Sequence, residues 1–305
     1  MKITETKRQL ILGWIVVVIV VLIASIWAYL GGRENFHEGW YSKNIWENIS
    51  IMLIRYWSFP LVFIIIGLAG IRFPKVSLPL CIVIGIAAAI FLSGGSFSVV
   101  WIMIIAPLVG LGLLFFFGRA KPKKIAYTLV YSLPIIILVI TSAIGLVKVS
   151  KRIDDGDYGQ RTLETGSVCL IWAPRGPGWP NEGVNYYEAK EIVAHLNEDG
   201  TKILEEKVNI WRLPTVEEAV ASQMLHGENA SGKWNLEDEK AIYKFTPDKE
   251  TPLWDPHSEV IYYWTDTIKS EENTFTIVYD GRVFSRRMDS HYGYLSFRAV
   301  KRCPD

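Results

Sequence analysis

The sequence predicts a multi-pass α-helical membrane bundle of about five transmembrane helices, followed by one α+β domain folded in water. Three observations carry this. The first half is a series of long apolar runs separated by short polar stretches. After Ser150 the composition becomes a globular mixture rich in Glu, Lys, Arg, Trp and Tyr. Within that second half, two capped amphipathic segments precede several runs of β-type residues. The 305 residues suffice for two domains of ordinary size, so the chain divides into 1–150 and 151–305.

A bilayer core about 30 Å thick calls for roughly 20 apolar residues in a helix rising about 1.5 Å per residue. Segments 11–30, 56–71, 76–92, 99–117 and 125–147 meet or approach that length, and none contains Asp, Glu, Lys, Arg or His. The second and third are short, with Pro74 and Lys75 between them, and read as a tight helical hairpin. The first follows Lys2, Lys7 and Arg8. Its apolar run is too long for a signal-peptide core, and no small-x-small cleavage pattern follows before Gly31, so a retained anchor is expected.

Basic residues set the orientation. With the amino-terminal end in the cytoplasm, the inside segments carry Lys2, Lys7, Arg8, Arg72, Lys75, Arg119, Lys121, Lys123 and Lys124. The outside loops carry Arg33, Lys43 and Arg55, and the 93–98 loop carries none. Lys148, Lys151 and Arg152 then lie outside and count against this choice. Five spans place 151–305 outside a cytoplasmic (plasma) membrane. Polar groups inside the bundle are mild: Thr128, Tyr131, Ser132, Thr141 and Ser142 in the last span, with Pro134 as a kink. Such residues, with Gly67, Gly70, Gly110 and Gly112, suit helix packing better than a transport pathway, which needs ionisable groups or broken helices.

In the second half, 151–166 reads as a polar linker and 168–173 as a strand. Asn185 and Glu188 form a capping-box pattern ahead of Ala189, Ile192, Val193 and Leu196 at helical spacing. Thr215 and Glu218 repeat that pattern ahead of Val216, Ala219 and Val220, a face extended by Gln223, Met224 and Leu225, with Gly227 as the stop. Residues 260–264 read as a strand buried on both faces. Thr274 to Tyr279 alternates, Asp280-Gly281 is a hairpin turn, and 282–285 returns antiparallel. A final strand places Leu295, Phe297 and Ala299 inward, against Ser296 and Arg298.

The stretch Trp211-Arg-Leu-Pro-Thr-x-x-Glu218 resembles the R-L-P-T-x-x-E element of the formylglycine-generating enzyme (sulfatase-modifying factor) family and of the related Lcl C-terminal domain family. The helix before it, Tyr263-Trp-Thr-Asp-Thr267 and Ser296-Phe-Arg-Ala-Val-Lys-Arg302 are similar to further stretches of those families, in the same order. The resemblance covers about residues 168–302. It implies a C-type-lectin-like fold in which the first and last strands pair and long loops carry function. The generating enzymes bind copper through a pair of cysteines near the end of the domain, and the matching stretch here, 281–293, has none. A related group binds iron through histidines in a helical domain, and no such cluster exists here. The resemblance therefore implies the scaffold without those two activities.

Cys169 lies in the first predicted strand and Cys303 just past the last, so pairing of those strands outside the cell permits a disulfide; the other reading is one buried and one exposed thiol. Cys81, in the third span, is an apolar filler. The three cysteines form no C-x-x-C pair, which gives a zinc or redox motif no support. The five histidines lack metal-ligand spacing, so neither metal nor cofactor is predicted. No G-x-S-x-G elbow appears. Asn48 and Asn229 head glycosylation-type triplets.

The loop after the hairpin gathers Arg282, Arg286, Arg287, Asp289, His291, Tyr292 and Tyr294. Together with Trp264 and Asp266, these residues suit an anionic or carbohydrate ligand; the plainer reading is a solvated loop. The segments 226–229 and 254–257 could add contacts. The net charge of +1 excludes a general nucleic-acid binder. The expected function is a membrane-anchored, extracytoplasmic binding or sensing module, non-catalytic because the cysteine pair is missing. Its partners are the lipid bilayer, a glycan, anionic or protein ligand, and other membrane proteins. The alternatives are a membrane enzyme with another active site on the same scaffold, or a structural subunit of a membrane assembly.

Overall fold

A computed structural model of the chain describes residues 6–93, 99–165 and 168–304. The 93–98 loop lies almost wholly outside these residues. The chain forms two compact units: Met1–His37 with Ile49–Val147, and Glu38–Asn48 with Lys148–Asp305. The change of unit thus falls three residues before the change of composition, and an eleven-residue segment from the first half folds with the second.

The first unit is helical. Its elements are α1 (Lys7–His37), α2 (Ile45–Ile51), a π-helical turn (Met52–Tyr56), α3 (Ser58–Arg72), α4 (Pro74–Ser93), α5 (Val99–Phe117) and α6 (Lys123–Val149). Among the described residues, three helices are long and apolar enough to cross a membrane: α1, α4 and α6. The expected second span is instead the second limb of a broken helix. Ile45–Tyr56 and Ser58–Arg72 meet at 57°, and pass the length test only as a pair. The break has a backbone cause: the Trp57 N–H bonds the Met52 carbonyl, five residues back, at 2.9 Å, a π-type bond that disrupts the α ladder. The expected fourth span is a shorter apolar helix, Trp101–Phe117.

Valines of α1 (Val16, Val17, Val20, Val21) meet Ile64 and Ile66 of α3, Leu111 and Phe115 of α5, and Ala126 and Val130 of α6. The other side of α1 is no less apolar, with Leu22 56% and Ile26 58% exposed. A helix apolar on every side belongs in a large core or in lipid. Glycines set three close approaches. A Cβ at Gly67 would sit 2.7 Å from a Val130 methyl carbon, one at Gly70 2.5 Å from the Phe115 ring, and one at Gly112 2.8 Å from the Leu78 Cα. Gly110, expected to pack likewise, has nothing within 4 Å of that position. Ser132 and Thr141 donate to carbonyls of their own helix rather than across the bundle.

The second unit holds two short helices, α7 (Tyr186–Ala194) and α8 (Val216–Ala221), and eleven strands among the described residues. Strands β1 (Arg161–Thr165), β2 (Val168–Trp172) and β11 (Val300–Arg302) form one sheet in the order β1-β2-β11. The expected linker thus ends in a strand, paired antiparallel from Arg161↔Trp172 to Thr165↔Val168. A second sheet runs β10-β7-β8-β9, from β7 (Tyr262–Ile268), β8 (Asn273–Val278), β9 (Val283–Arg287) and β10 (Leu295–Ser296). Two hairpins, β3 (Met224–Leu225) with β4 (Glu228–Asn229) and β5 (Lys233–Asn235) with β6 (Lys240–Ile242), complete the unit. Helix α8 stops at Ala221, so Met224 and Leu225 leave the expected helix face for β3; His226 and Gly227 turn the hairpin at positive φ.

The second sheet carries a core on each face, because successive side chains of a strand point to opposite sides. Tyr263, Phe275 and Ile277 enter one cluster with Trp172, Trp254 and Val300. Trp264 and Leu295 enter the other with Tyr186, Val193, Leu213 and Phe297. Thr274 and Thr276 are as buried as Phe275 and Ile277, so the alternation of β8 does not divide core from water. The same holds at the end of the chain. The expected single strand is split into β10 and β11, and Ser296 and Arg298, expected to face out, are fully buried.

Candidate functional site

The RLPT segment builds a rigid corner. Thr215 accepts from the Glu218 N–H at 3.2 Å, and the Glu218 carboxylate accepts from the Thr215 N–H at 2.8 Å. Both carboxylate oxygens also take Arg212, at 2.6 and 2.7 Å. Burial pushes the Glu218 carboxyl upward, yet bonds from Arg212 and the Thr215 amide, with the charges of Arg212 and Arg302, hold it below the usual range. Opposite this corner, Cys169 on β2 and Cys303 after β11 are joined by a disulfide, Cα to Cα 5.4 Å.

The candidate ligand surface starts on β9. Arg282, Phe284 and Arg286 alternate along one face after the Asp280-Gly281 turn, level with Tyr262 of β7. The Arg286 guanidinium lies 4.1 Å from the Tyr262 ring centre and 5.9 Å from that of Tyr294. Tyr292 stacks on Tyr294 at 5.3 Å with the rings 2° from parallel, and Tyr292 is 48% exposed. On the other flank, Phe284 meets Tyr262 edge-on at 6.0 Å, with Arg282 5.5 Å from the Phe284 ring. These contacts make one strip of aromatics and cations.

Its cations differ in how they are neutralised. Arg282 is tied to Asp280 at 2.8 Å, and Arg287 to Asp289 at 2.7 Å. Arg286 has no carboxylate within ion-pair distance among the described residues, and its Nε is buried without a hydrogen-bond partner. Burial raises the Tyr262 hydroxyl pKa, with Arg286 acting against that shift.

The other sequence candidates lie elsewhere. Trp264 is wholly buried, its indole N–H bonded to the Val184 carbonyl at 2.7 Å, so it is a core residue and not a surface contact. Asp266 accepts from the Tyr186 hydroxyl and from Lys190, both at 2.8 Å, and fastens β7 to α7. His291 faces Glu188 at 3.5 Å. Asn48 is 4% exposed, its amide bonded to the Ser42 carbonyl. Sequence reasoning missed Tyr262 and Phe284. The signal was present in Arg282-x-Phe284-x-Arg286, whose period of two puts all three on one strand face.

A second cluster is buried and structural. Arg298, with no exposed surface, donates to the carbonyls of Ala173 at 2.8 Å, Gly159 at 3.4 Å and Pro252, and lies 3.7 Å over the Trp179 ring. Burial lowers its pKa to about 9, which still leaves it charged at neutral pH. Lys249 is equally enclosed and donates to the Ser258 carbonyl; burial first, and then Arg152, hold its ammonium well below the usual range. Arg175 pairs with Asp255 and lies 3.8 Å over Tyr158. His257 meets Asp154 at 3.0 Å and the Tyr41 carbonyl at 3.2 Å. With both ring nitrogens on acceptors, His257 activates no nucleophile; it fastens residues 38–48 into the unit.

Comparison of the chain with family models, with curated proteins and with solved structures finds no match in any of the three.

Proposed function

We propose that this chain is a membrane-anchored binding module that presents the Tyr262–Arg286–Tyr294–Tyr292 strip to anionic carbohydrate outside the cytoplasmic membrane. One observation carries the reading: Arg286 is bracketed by tyrosine rings and, among the described residues, has no carboxylate within ion-pair distance, next to a half-exposed tyrosine stack. Aromatic faces pack on sugar rings, and an unneutralised guanidinium selects a carboxylate or sulfate substituent. The sequence resemblance to the formylglycine-generating enzyme and Lcl families fits a loop-borne binding surface on a lectin-like scaffold, without the copper chemistry.

Three further observations support the topology of five crossings with the second unit outside. Residues 38–48, which follow α1, fold in one unit with residues 148–304, which begin at the end of α6. On the membrane-spanning reading, this shared membership fits an even number of crossings between them. The broken α2–α3 pair, α4, α5 and α6 supply four, and α1 makes five. Of the three basic residues that spoke against this orientation, Lys148 and Arg152 pair with Asp248 and lie over the Tyr279 ring, while Lys151 is exposed. The paired two are folded into the second unit and are poor markers of a cytoplasmic flank. A disulfide also suits an oxidising compartment.

The test is binding of the purified full-length chain, in mild detergent, to an array of acidic and neutral glycans. Retention on uronate- or sulfate-bearing glycans is expected, with at least a tenfold loss in Arg286→Ala and partial recovery in Arg286→Lys. No retention on any glycan overturns the reading.

A further inference from the structure

At the end of the first unit opposite residue 37, the described residues carry basic charge and no carboxylate. From Asn48 to Ile153 the sequence contains no Asp or Glu. Among the described residues of the first unit the one carboxylate is Glu34, about 37 Å along α1 from Gln9 by helix rise. The Gln9 carbonyl accepts from the Arg119 N–H at 2.7 Å, which fixes Arg119 at the far end.

Two adjoining crevices open there. One, of about 380 Å³, is lined by Phe73, Pro74, Lys75, Val76, Arg119 and Lys123, a volume near the lower end of the roughly 300–1,000 Å³ usual for ligand sites. The other is lined by Leu68, Ala69, Arg72, Phe73 and Tyr127. Phe73 is common to both, and Lys123 and Tyr127 lie one turn apart on α6, so the two run into each other. The first crevice is cationic three times over, and the start of α6 at Lys123 adds the positive end of that helix. Arg119 is held in place through Nη1 on the carbonyls of Phe116 and Gly118, at 2.9 and 2.6 Å. The second crevice is mainly apolar.

We infer that this double crevice binds one anionic phospholipid, its phosphate-bearing headgroup between Lys75, Arg119 and Lys123 and an acyl chain along Leu68, Ala69 and Tyr127. Charge complementarity selects the occupant. A zwitterionic lipid brings its own cation, which meets no carboxylate among the described lining residues, and a free phosphate leaves the apolar crevice empty. The inference rests on the membrane-spanning reading of the first unit and is independent of the glycan surface.

The test is native mass spectrometry of the full-length chain in detergent, titrated with phosphatidylglycerol or phosphatidylcholine of equal chain length. One phosphatidylglycerol is expected to remain bound at a concentration at least tenfold below that needed for phosphatidylcholine. The double variant Lys75→Gln with Lys123→Gln should abolish that preference. Lys7→Gln with Arg8→Gln, which removes the same charge from residues lining neither crevice, should change it less than twofold. Ala69→Trp should weaken the lipid without affecting retention of glycerol phosphate. Equal binding of both lipids overturns the proposal while leaving the membrane reading intact. So does an equal loss in the two double variants, which indicates diffuse attraction. Displacement of the lipid by millimolar inorganic phosphate assigns the crevice to a free anion and also overturns it.

Discussion

Glu218 shows how one side chain serves several ends. It closes the cap of α8, accepts both arms of Arg212, and ties the RLPT corner together. Its carboxyl is held below the usual value in the folded state, so the unfolded chain binds that proton more readily. The stabilisation is therefore complete above the unfolded value, about 4.3, and is lost as pH falls through the lower, folded value. Glu218→Gln is expected to cost about 1.5–3 kcal/mol at pH 7 through the weakened charged pair. The variant should also show a shallower loss of stability than the parent below about pH 4.5. Denaturant melts monitored by the tryptophan-rich second unit, at pH 7 and pH 4, measure both. This corner was legible from sequence because capping is local: Thr215 and its partner three residues on are neighbours in any helix start. The bidentate arm of Arg212 was not, since it depends on how the chain turns before Pro214.

At the scale of elements, glycines in the helices give a paired test. Gly112→Ala places a methyl group 2.8 Å from the Leu78 backbone, whereas Gly110→Ala meets nothing within 4 Å. The first substitution should destabilise the first unit by about 1–3 kcal/mol and the second by well under 1. Thermal aggregation in detergent should separate them by several degrees. Sequence spacing marked both glycines alike, because a residue's place on a helix face needs the neighbour's position as well as its own. Strands met a similar limit. The alternation in β8 was visible, but its burial on both sides was not, because that depends on helices and loops from elsewhere covering the second face. Arg298 is the sharpest case: three carbonyls and an indole ring far away in sequence draw a charged residue into the core. The link between β2 and β11 closes a loop spanning 134 residues, which the chain-entropy relation values at about 5 kcal/mol. Cys169→Ser with Cys303→Ser should lower the unfolding midpoint of the second unit accordingly. Mass analysis after alkylation, with and without reductant, checks that the parent carries the bond.

At the scale of the molecule, the proposed five-crossing arrangement predicts which residues share a compartment. In a Cys81→Ala background, Lys43→Cys and Glu237→Cys should react with a membrane-impermeant maleimide added to intact cells. Lys121→Cys should react only after the membrane is opened. Labelling of Lys121→Cys in intact cells, with Lys43→Cys protected, would reverse the orientation. Labelling of Lys43→Cys and Glu237→Cys from opposite sides would break the even count of crossings. The apolar spans were legible because lipid imposes a length on every helix that crosses it. The broken α2–α3 pair was not, because its π-type bond is a backbone event that leaves the hydropathy profile smooth.

The membership of residues 38–48 in the second unit bears on the order of assembly. These residues emerge from the ribosome about a hundred positions ahead of the rest of their unit, and wait, tethered, while the intervening helices are made. Until then His257 has no Tyr41 carbonyl and Asp154 no Lys43 beside it. A polypeptide begun at residue 151 never receives them at all. Supplying an eleven-residue peptide of that sequence to such a fragment should raise its melting temperature, in the manner of a split protein made whole.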